Sequence, residues 1–169
     1  MAVADRGSSR RLYAGSCCGG LWASDDLGQT WQAVFDKEAS TAVGALAVAP
    51  SNPDIVWVGT GEAQPRHSGY AFAGTGVFKS TDAGRTWSHM GLADSHHVGK
   101  ILIDPGNPQT VYVAAMGHQW TPNAERGVFK TTDGGATWKK VLYLSDQIGA
   151  MDVELQPGNP SVVYAWMNR

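Results

Sequence analysis

At 169 residues and 18.0 kDa the chain is long enough for one ordinary domain and too short for two large ones. With 13 Lys and Arg against 15 Asp and Glu, the formal net charge is −2, which argues against nucleic-acid and anionic-membrane partners. Hydrophobic residues make up 43% and charged residues 17%, in apolar runs too short for a membrane span; 21 Gly, 8 Pro and 7 Trp between such runs point to a turn-rich, globular all-β chain.

Residues 1–10 are polar and lack the apolar stretch of a secretory signal, so they read as an N-terminal tail and the chain as written is expected not to be exported. Cys17 and Cys18 are neighbours, closer than disulfide geometry favours, and carry no information about redox compartment. They read as small buried apolar residues, with a reactive vicinal pair as the alternative. The surrounding stretch Gly15 to Gly20 lacks the Lys-Ser/Thr ending and following helix of a phosphate loop and reads as a tight turn.

A repeat then begins. Ser24 to Trp31, Ser80 to Trp87 and Thr131 to Trp138 all read [ST]-x-D-x-G-x-T-W, with aspartates at 26, 82 and 133. A second pattern recurs in step with it: Pro50-Ser51-Asn52-Pro53, Pro105-Gly106-Asn107-Pro108 and Gln156-Pro157-Gly158-Asn159-Pro160. Around these motifs each repeat reads as four strands. In the second repeat they are Leu46 to Ala49, Ile55 to Gly59, Gly76 to Ser80 and Thr86 to Met90; in the third, Ile101 to Asp104, Val111 to Ala114, Gly127 to Thr131 and Thr137 to Val141. Four strands per unit of about 50 residues is the pattern of a β-propeller blade.

The eight-residue motif has a mechanical reading as the hairpin between third and fourth strands. Asp26, Asp82 and Asp133 accept hydrogen bonds from their own turn, Gly28, Gly84 and Gly135 supply a positive φ, and Trp31, Trp87 and Trp138 wedge into the apolar layer. An alternative in which these aspartates bind metal or substrate is weaker, since a residue needed in every repeat is explained by the repeat's own geometry.

This motif resembles the Asp-box, or BNR repeat, of sialidase-like propellers. The strings Val56 to Glu62, Gly76 to Asp82 and His118 to Asp133 are similar to the bacterial branch of the sortilin, or VPS10-type, propeller family, and the match runs from about Leu12 to the C-terminus. The resemblance implies a propeller fold, an activity anywhere between glycosyl hydrolase and receptor-like binding module, and a secreted or periplasmic parent protein. The Arg-Ile-Pro type motif and the arginine trio with a Tyr nucleophile are missing, so sialidase activity is not implied.

Leu12 to Val34 supplies three strands without an inner first one, two full repeats follow, and Met151 to Trp166 supplies two more strands. The expectation is therefore an all-β propeller arc of about three four-stranded antiparallel blades, incomplete, with parts 11–42, 43–97, 98–149 and 150–169. Open edges imply self-association or missing blades from a longer parent chain, with Met151 to Trp166 closing onto Leu12 to Val34 as the one monomeric alternative.

Up-and-down strand order puts the second-to-third and fourth-to-next-first connections on one face and the Asp-boxes on the other. The first face collects residues 15–20, 61–75, 92–97, 116–126 and 145–149. It carries Cys17, Cys18, Glu62, Arg66, His67, Asp94, His96, His97, His118, Trp120, Glu125, Arg126 and Asp146. Three readings apply. The charges order the long loops through ion pairs; or the face binds peptide or glycan, with Arg66, His67, His96, His97, His118 and Arg126 as polar contacts and Trp120, Tyr70 and Phe72 as anchors; or Glu62 and Glu125 flank a glycosidic bond as acid and base or nucleophile. No C-x-x-C or H-x-x-x-H spacing is present, so neither metal nor cofactor is assigned. The reading adopted is a binding scaffold for peptide or glycan, with an exo-acting glycoside hydrolase as the alternative.

Overall fold

Short strands with period-two burial, punctuated by two motifs that each bend the chain by local hydrogen bonds, build the molecule. In the computed structural model, which describes residues 1–5, 10–63 and 71–169, fourteen strands form three four-stranded antiparallel sheets and one pair. The first sheet is β1 (Ala2–Asp5), β2 (Arg10–Ser16), β3 (Gly20–Ser24) and β4 (Gln32–Ala33). The second is β5 (Val43–Ala49), β6 (Asn52–Thr60), β7 (Val77–Ser80) and β8 (Ser88–His89). The third is β9 (Val98–Asp104), β10 (Asn107–Ala115), β11 (Gly127–Thr131) and β12 (Lys139–Leu142). β13 (Gly149–Gln156) pairs only with β14 (Asn159–Asn168). Each sheet meanders in chain order, as propeller blades do.

The N-terminal segment departs from its reading as a polar tail. Ala2–Asp5 is a strand whose register sets Val3 opposite Leu12 and Asp5 opposite Arg10, and Ala4 is fully buried. One small inward side chain in four residues is too faint a period to separate from a tail. Since β1 fills the inner position of the first blade, the closure of Met151 to Trp166 onto that blade has no vacancy to enter.

Apolar layers lie between blades. Tyr13, Leu21, Phe35, Val56, Val58 and Phe78 fill the first junction; Trp57, Val77, Val98, Ile101, Val113 and Phe129 fill the second. A smaller cluster around Tyr112, Ala114 and Val153 joins the third blade to the last pair. Central strands covered on both faces read as continuous apolar runs, so Ile55–Thr60 and Thr110–Ala115 are buried throughout. Among the described residues β14 pairs with β13 alone, and Tyr164 and Trp166 on it are exposed.

Both motifs are explained by local chemistry. In the second Asp-box, Asp82 Oδ1 accepts from the backbone N–H of Arg85 (3.0 Å) and Thr86 (2.9 Å), while the Thr86 hydroxyl donates to Oδ2 at 2.6 Å. The Ser80 hydroxyl donates to Asp82 Oδ1 and accepts from Gly84 N–H, both at 2.7 Å, a role for the motif's first residue that spacing alone did not suggest. Asp26 and Asp133 repeat the arrangement. Gly28, Gly84 and Gly135 have φ of 91°, 81° and 100°, as expected for these turns. The preceding residue is also left-handed, at Leu27 and Ala83 (both φ 60°) and at Gly134 (φ 70°). In the other motif the Asn52 carboxamide accepts from Asp54 N–H, Asn107 from Gln109 and Asn159 from Ser161, an Asx turn around a proline that has no N–H to give.

Two of the tryptophans bridge blades across the two complete junctions. Trp87 donates its indole N–H to Val34 O at 2.6 Å, and Trp138 to Met90 O at 2.6 Å, each acceptor belonging to the preceding repeat. Trp31 bonds within its own turn, to Gly28 O at 3.0 Å.

The threonine hydroxyl, then the turn's backbone N–H groups and the first-position serine, hold the Asp26 and Asp82 carboxyls down at about 2. In the unfolded chain an aspartate titrates near about 4, so this contribution is complete above that pH and is lost as pH falls through the folded values. Asp82→Ala is expected to destabilise by about 1–2 kcal/mol through orphaned turn N–H groups. Asp82→Asn should flatten the loss of stability between about pH 4 and pH 2; denaturant titrations followed by tryptophan fluorescence measure both.

Candidate functional site

Opposite the Asp-boxes, the chain brings the ends of the blades together through backbone hydrogen bonds. Gly20 N–H donates to Thr41 O, Gly61 N–H to Ala42 O, Met116 N–H to His97 O and Gly74 N–H to His96 O. The segment between the second and third blades, a single 3-10 turn at Ala93–Ser95 followed by His96 and His97, is pressed into this junction. A Cβ at Gly61, whose φ is 90°, would lie 1.9 Å from His96 O; one at Gly74 would lie 2.2 Å from Thr60 C. A side chain at Gly61 would expel the turn, and one at Gly74 would push its own segment off the Thr60-Gly61 backbone, which is what these two glycines contribute here.

His118, from the β10–β11 loop, meets the turn. Its Nε2 lies 2.7 Å from Asp94 Oδ1 and its Nδ1 lies 2.8 Å from the Thr121 hydroxyl. The His96 ring stacks on the His118 ring with centroids 3.7 Å apart and planes 20° from parallel. Asn123 locks the pair of loops together, its amide donating to Asp94 O (2.7 Å) and Oδ2 (3.2 Å) and its oxygen accepting His118 N–H. Glu125 Oε2 accepts Asp94 N–H at 2.8 Å. Burial opposes ionisation of Asp94, but the hydrogen bonds from His118 and Asn123 outweigh it and hold the carboxyl below its usual range. Burial, then the neighbouring His118, pushes His96 below the ordinary imidazole value against the opposing pull of Asp94.

Arg126 supports the loop from beneath. Only 7% exposed, it donates to the carbonyls of Met116 (2.6 Å), Thr121 (3.0 Å) and His118. Its guanidinium is thus spent on backbone, a structural use in place of the ligand contact expected from the sequence. His97 is buried, with Nδ1 3.2 Å from Glu62 O, and burial lowers its pKa. Cys17 and Cys18 are exposed free thiols with sulfurs 3.6 Å apart, not the buried apolar residues of the first reading. The bond to Cys18 and its charge, then burial and the charge of Glu62, raise the Cys17 pKa. Arg66, His67 and Tyr70 lie outside the described residues.

Trp120 stands 77% exposed at the mouth of a cavity of about 210 Å³ whose walls include Met116, His118, Arg126, Gly149 and Met151. Phe72 is 55% exposed. The structure thus gathers Asp94, His96, His118, Glu125 and Arg126 into one network, with Trp120 beside it and Glu62 bound to it through His97. Thr121 and Asn123 were not singled out from sequence. The turn dipeptide Pro122-Asn123 was the available signal.

Arg126→Gln is expected to cost about 1.5–3 kcal/mol, the range for hydrogen bonds to a charged group. Hydrogen exchange should show residues 116–125 losing protection first while the strands keep theirs.

The model of the Sortilin-Vps10 family, described as sortilin, neurotensin receptor 3, matches residues 19–143. A xyloglucanase of Paenibacillus sp. is 25% identical over 173 aligned residues, covering 92% of this chain and 16% of the relative. A xyloglucanase of Hypocrea jecorina is 28% identical over 147 residues, covering 76% and 16%. The chain therefore spans a small part, 10% to 16%, of the length of the curated relatives it matches. Among solved structures, an ancestral GH74 enzyme superposes with a TM-score of 0.71 at 24% identity over 97% of this chain and 21% of its own; at that identity the likeness speaks for the fold alone.

Proposed function

The chain belongs to the Sortilin-Vps10 family of β-propellers, and from that premise we propose that this segment is a binding scaffold for a glycan, engaged on the face opposite the Asp-boxes. The observation that carries the reading is Trp120, a large aromatic left 77% exposed on an otherwise braced loop, at the rim of a cavity. An exposed indole presents a flat apolar face to the C–H face of a sugar ring, while neighbouring polar groups bond its hydroxyls. On the opposite face the carboxylates of Asp26, Asp82 and Asp133 are engaged by their own turns. That the curated relatives are xyloglucanases supports xyloglucan as the ligand class.

As a second reading we propose that the segment is part of an exo-acting glycoside hydrolase with Glu62 and Glu125 as acid and base or nucleophile; the xyloglucanase relatives support the hydrolase class. One set of measurements separates the two. Calorimetry with xylogluco-oligosaccharides should show saturable binding that Trp120→Ala weakens at least tenfold, with no release of reducing sugar. Glu62→Gln should leave that affinity nearly unchanged; a rate loss of about 10²–10⁴ in Glu62→Gln would instead establish the hydrolase.

We also propose that the outer edge of β14, unpaired among the described residues and carrying Tyr164 and Trp166 at 59% and 70% exposure, pairs with a second copy of the chain, the alternative being a further blade of a longer parent chain. Sedimentation equilibrium should show a concentration-dependent rise in mass, and a monomer at all concentrations would retire this.

A further inference from the structure

From the cluster of Asp94, His96 and His118 we infer a site for one first-row divalent transition-metal ion, Zn²⁺ in the first instance. One ligand atom from each residue, a carboxylate oxygen and two imidazole nitrogens, lies within 4.8 Å of the others. Two imidazoles and a carboxylate suit zinc and its neighbours over calcium or magnesium, which take oxygen. Around a tetrahedral zinc, with bonds of about 2.0–2.1 Å, neighbouring ligand atoms sit about 3.3 Å apart. The Asp94 Oδ1 to His118 Nε2 edge of 2.7 Å needs to open by about 0.6 Å, and His96 needs to swing inward.

What distinguishes the cluster from an ordinary hydrogen-bonded loop contact is His96. Its ring nitrogens have no hydrogen-bond partner among the described residues, yet the ring is held against His118 by a backbone at φ 52°, a conformation few residues accept. Residues that are not ligands orient those that are: Thr121 faces the far nitrogen of His118, Asn123 grips Asp94, and Glu125 holds its N–H. Such outer partners are the usual companions of a metal site. Without an ion, His118 Nε2 carries the proton that bonds the acceptor-only carboxylate, and the Thr121 hydroxyl donates to Nδ1. On binding, Nε2 gives up its proton to water and Nδ1 takes one up, now donating to Thr121 Oγ1. Three protein ligands leave a fourth position facing solvent past the Asp94 carboxylate, whose side chain is 56% exposed. That is the open arrangement through which a metal can hold a ligand hydroxyl or a water.

The test is titration of the metal-stripped protein with Co²⁺ followed by absorption, and with Zn²⁺ followed by calorimetry. One equivalent should bind, with the intense visible bands of tetrahedral cobalt. His96→Asn removes one ligand while keeping a residue that tolerates positive φ and leaving the Asp94–His118 hydrogen bond in place. It should weaken binding at least tenfold without moving the thermal midpoint of the metal-free protein. The double variant Cys17→Ser, Cys18→Ser should bind as the unchanged chain does. Failure of either ion to bind, retention of full affinity by His96→Asn, loss of binding in the double cysteine variant, or equal affinity for Ca²⁺ would each overturn the assignment. None of these outcomes depends on glycan binding.

Discussion

The hydrogen bond from an indole N–H to a carbonyl of the preceding blade is the contact that turns separate sheets into one body. Trp87 reaches Val34 O and Trp138 reaches Met90 O, and in both cases the acceptor lies three residues beyond the tryptophan of the earlier repeat. The interaction is directional where the surrounding packing is not, so it fixes how far each blade is rotated against the last. The rings then do the apolar part of the work: Trp87 meets Phe35 edge-on at 5.1 Å and Trp138 meets Trp57 at 6.0 Å. Trp31, with no earlier blade among the described residues, folds its N–H back onto its own turn.

Rigid blade junctions are the condition for the loop face to exist. The 3-10 turn that carries Asp94 and His96 is the connection from the second blade to the third, and its partner His118 projects from within the third. A change in the angle between those blades would separate the two imidazoles, whose centroids are 3.7 Å apart. The side chains of Asn123 and Arg126 act on a shorter scale, fastening loop backbone to loop backbone where no strand ladder reaches. Fixed geometry at the blade junction and local side-chain bracing in the loops together place polar groups and an exposed indole on one surface.

What could be read from the sequence follows the range of the interactions. The Asp-box is legible because its hydrogen bonds span two to four residues, Ser80 to Asp82 to Thr86, so eight consecutive letters hold the whole device. Connectivity then gave the face on which His96, His97 and His118 lie, since strand order alone decides which loops share an end. The strand Ala2–Asp5 was illegible because only Ala4 turns inward and nothing in four residues fixes a period. The pairing of Asp94 with His118 was illegible for a different reason: 24 residues separate them, and their approach depends on loop conformations held by Asn123 and by the clearance at Gly61. A guanidinium in a long loop reads from sequence as a ligand contact; in the fold Arg126 is itself buried, and its N–H groups find partners in the carbonyls of Met116, His118 and Thr121, since a buried charge left unpaired is costly.

The two ends of the arc therefore divide the labour by the state of their polar atoms. At the Asp-box end each carboxylate already accepts from its turn's N–H groups and threonine hydroxyl, and the serine or threonine at the first position is used twice over. A ligand arriving there would have to break bonds that hold the turn closed. At the loop end the backbone is satisfied by Arg126 and Asn123, and this leaves the ring nitrogens of His96 and the outer face of Trp120 without structural duty. Recognition needs polar atoms that are held in place and yet not consumed, and among the described residues His96 at the loop end meets both conditions, its ring fixed by stacking and its nitrogens unengaged.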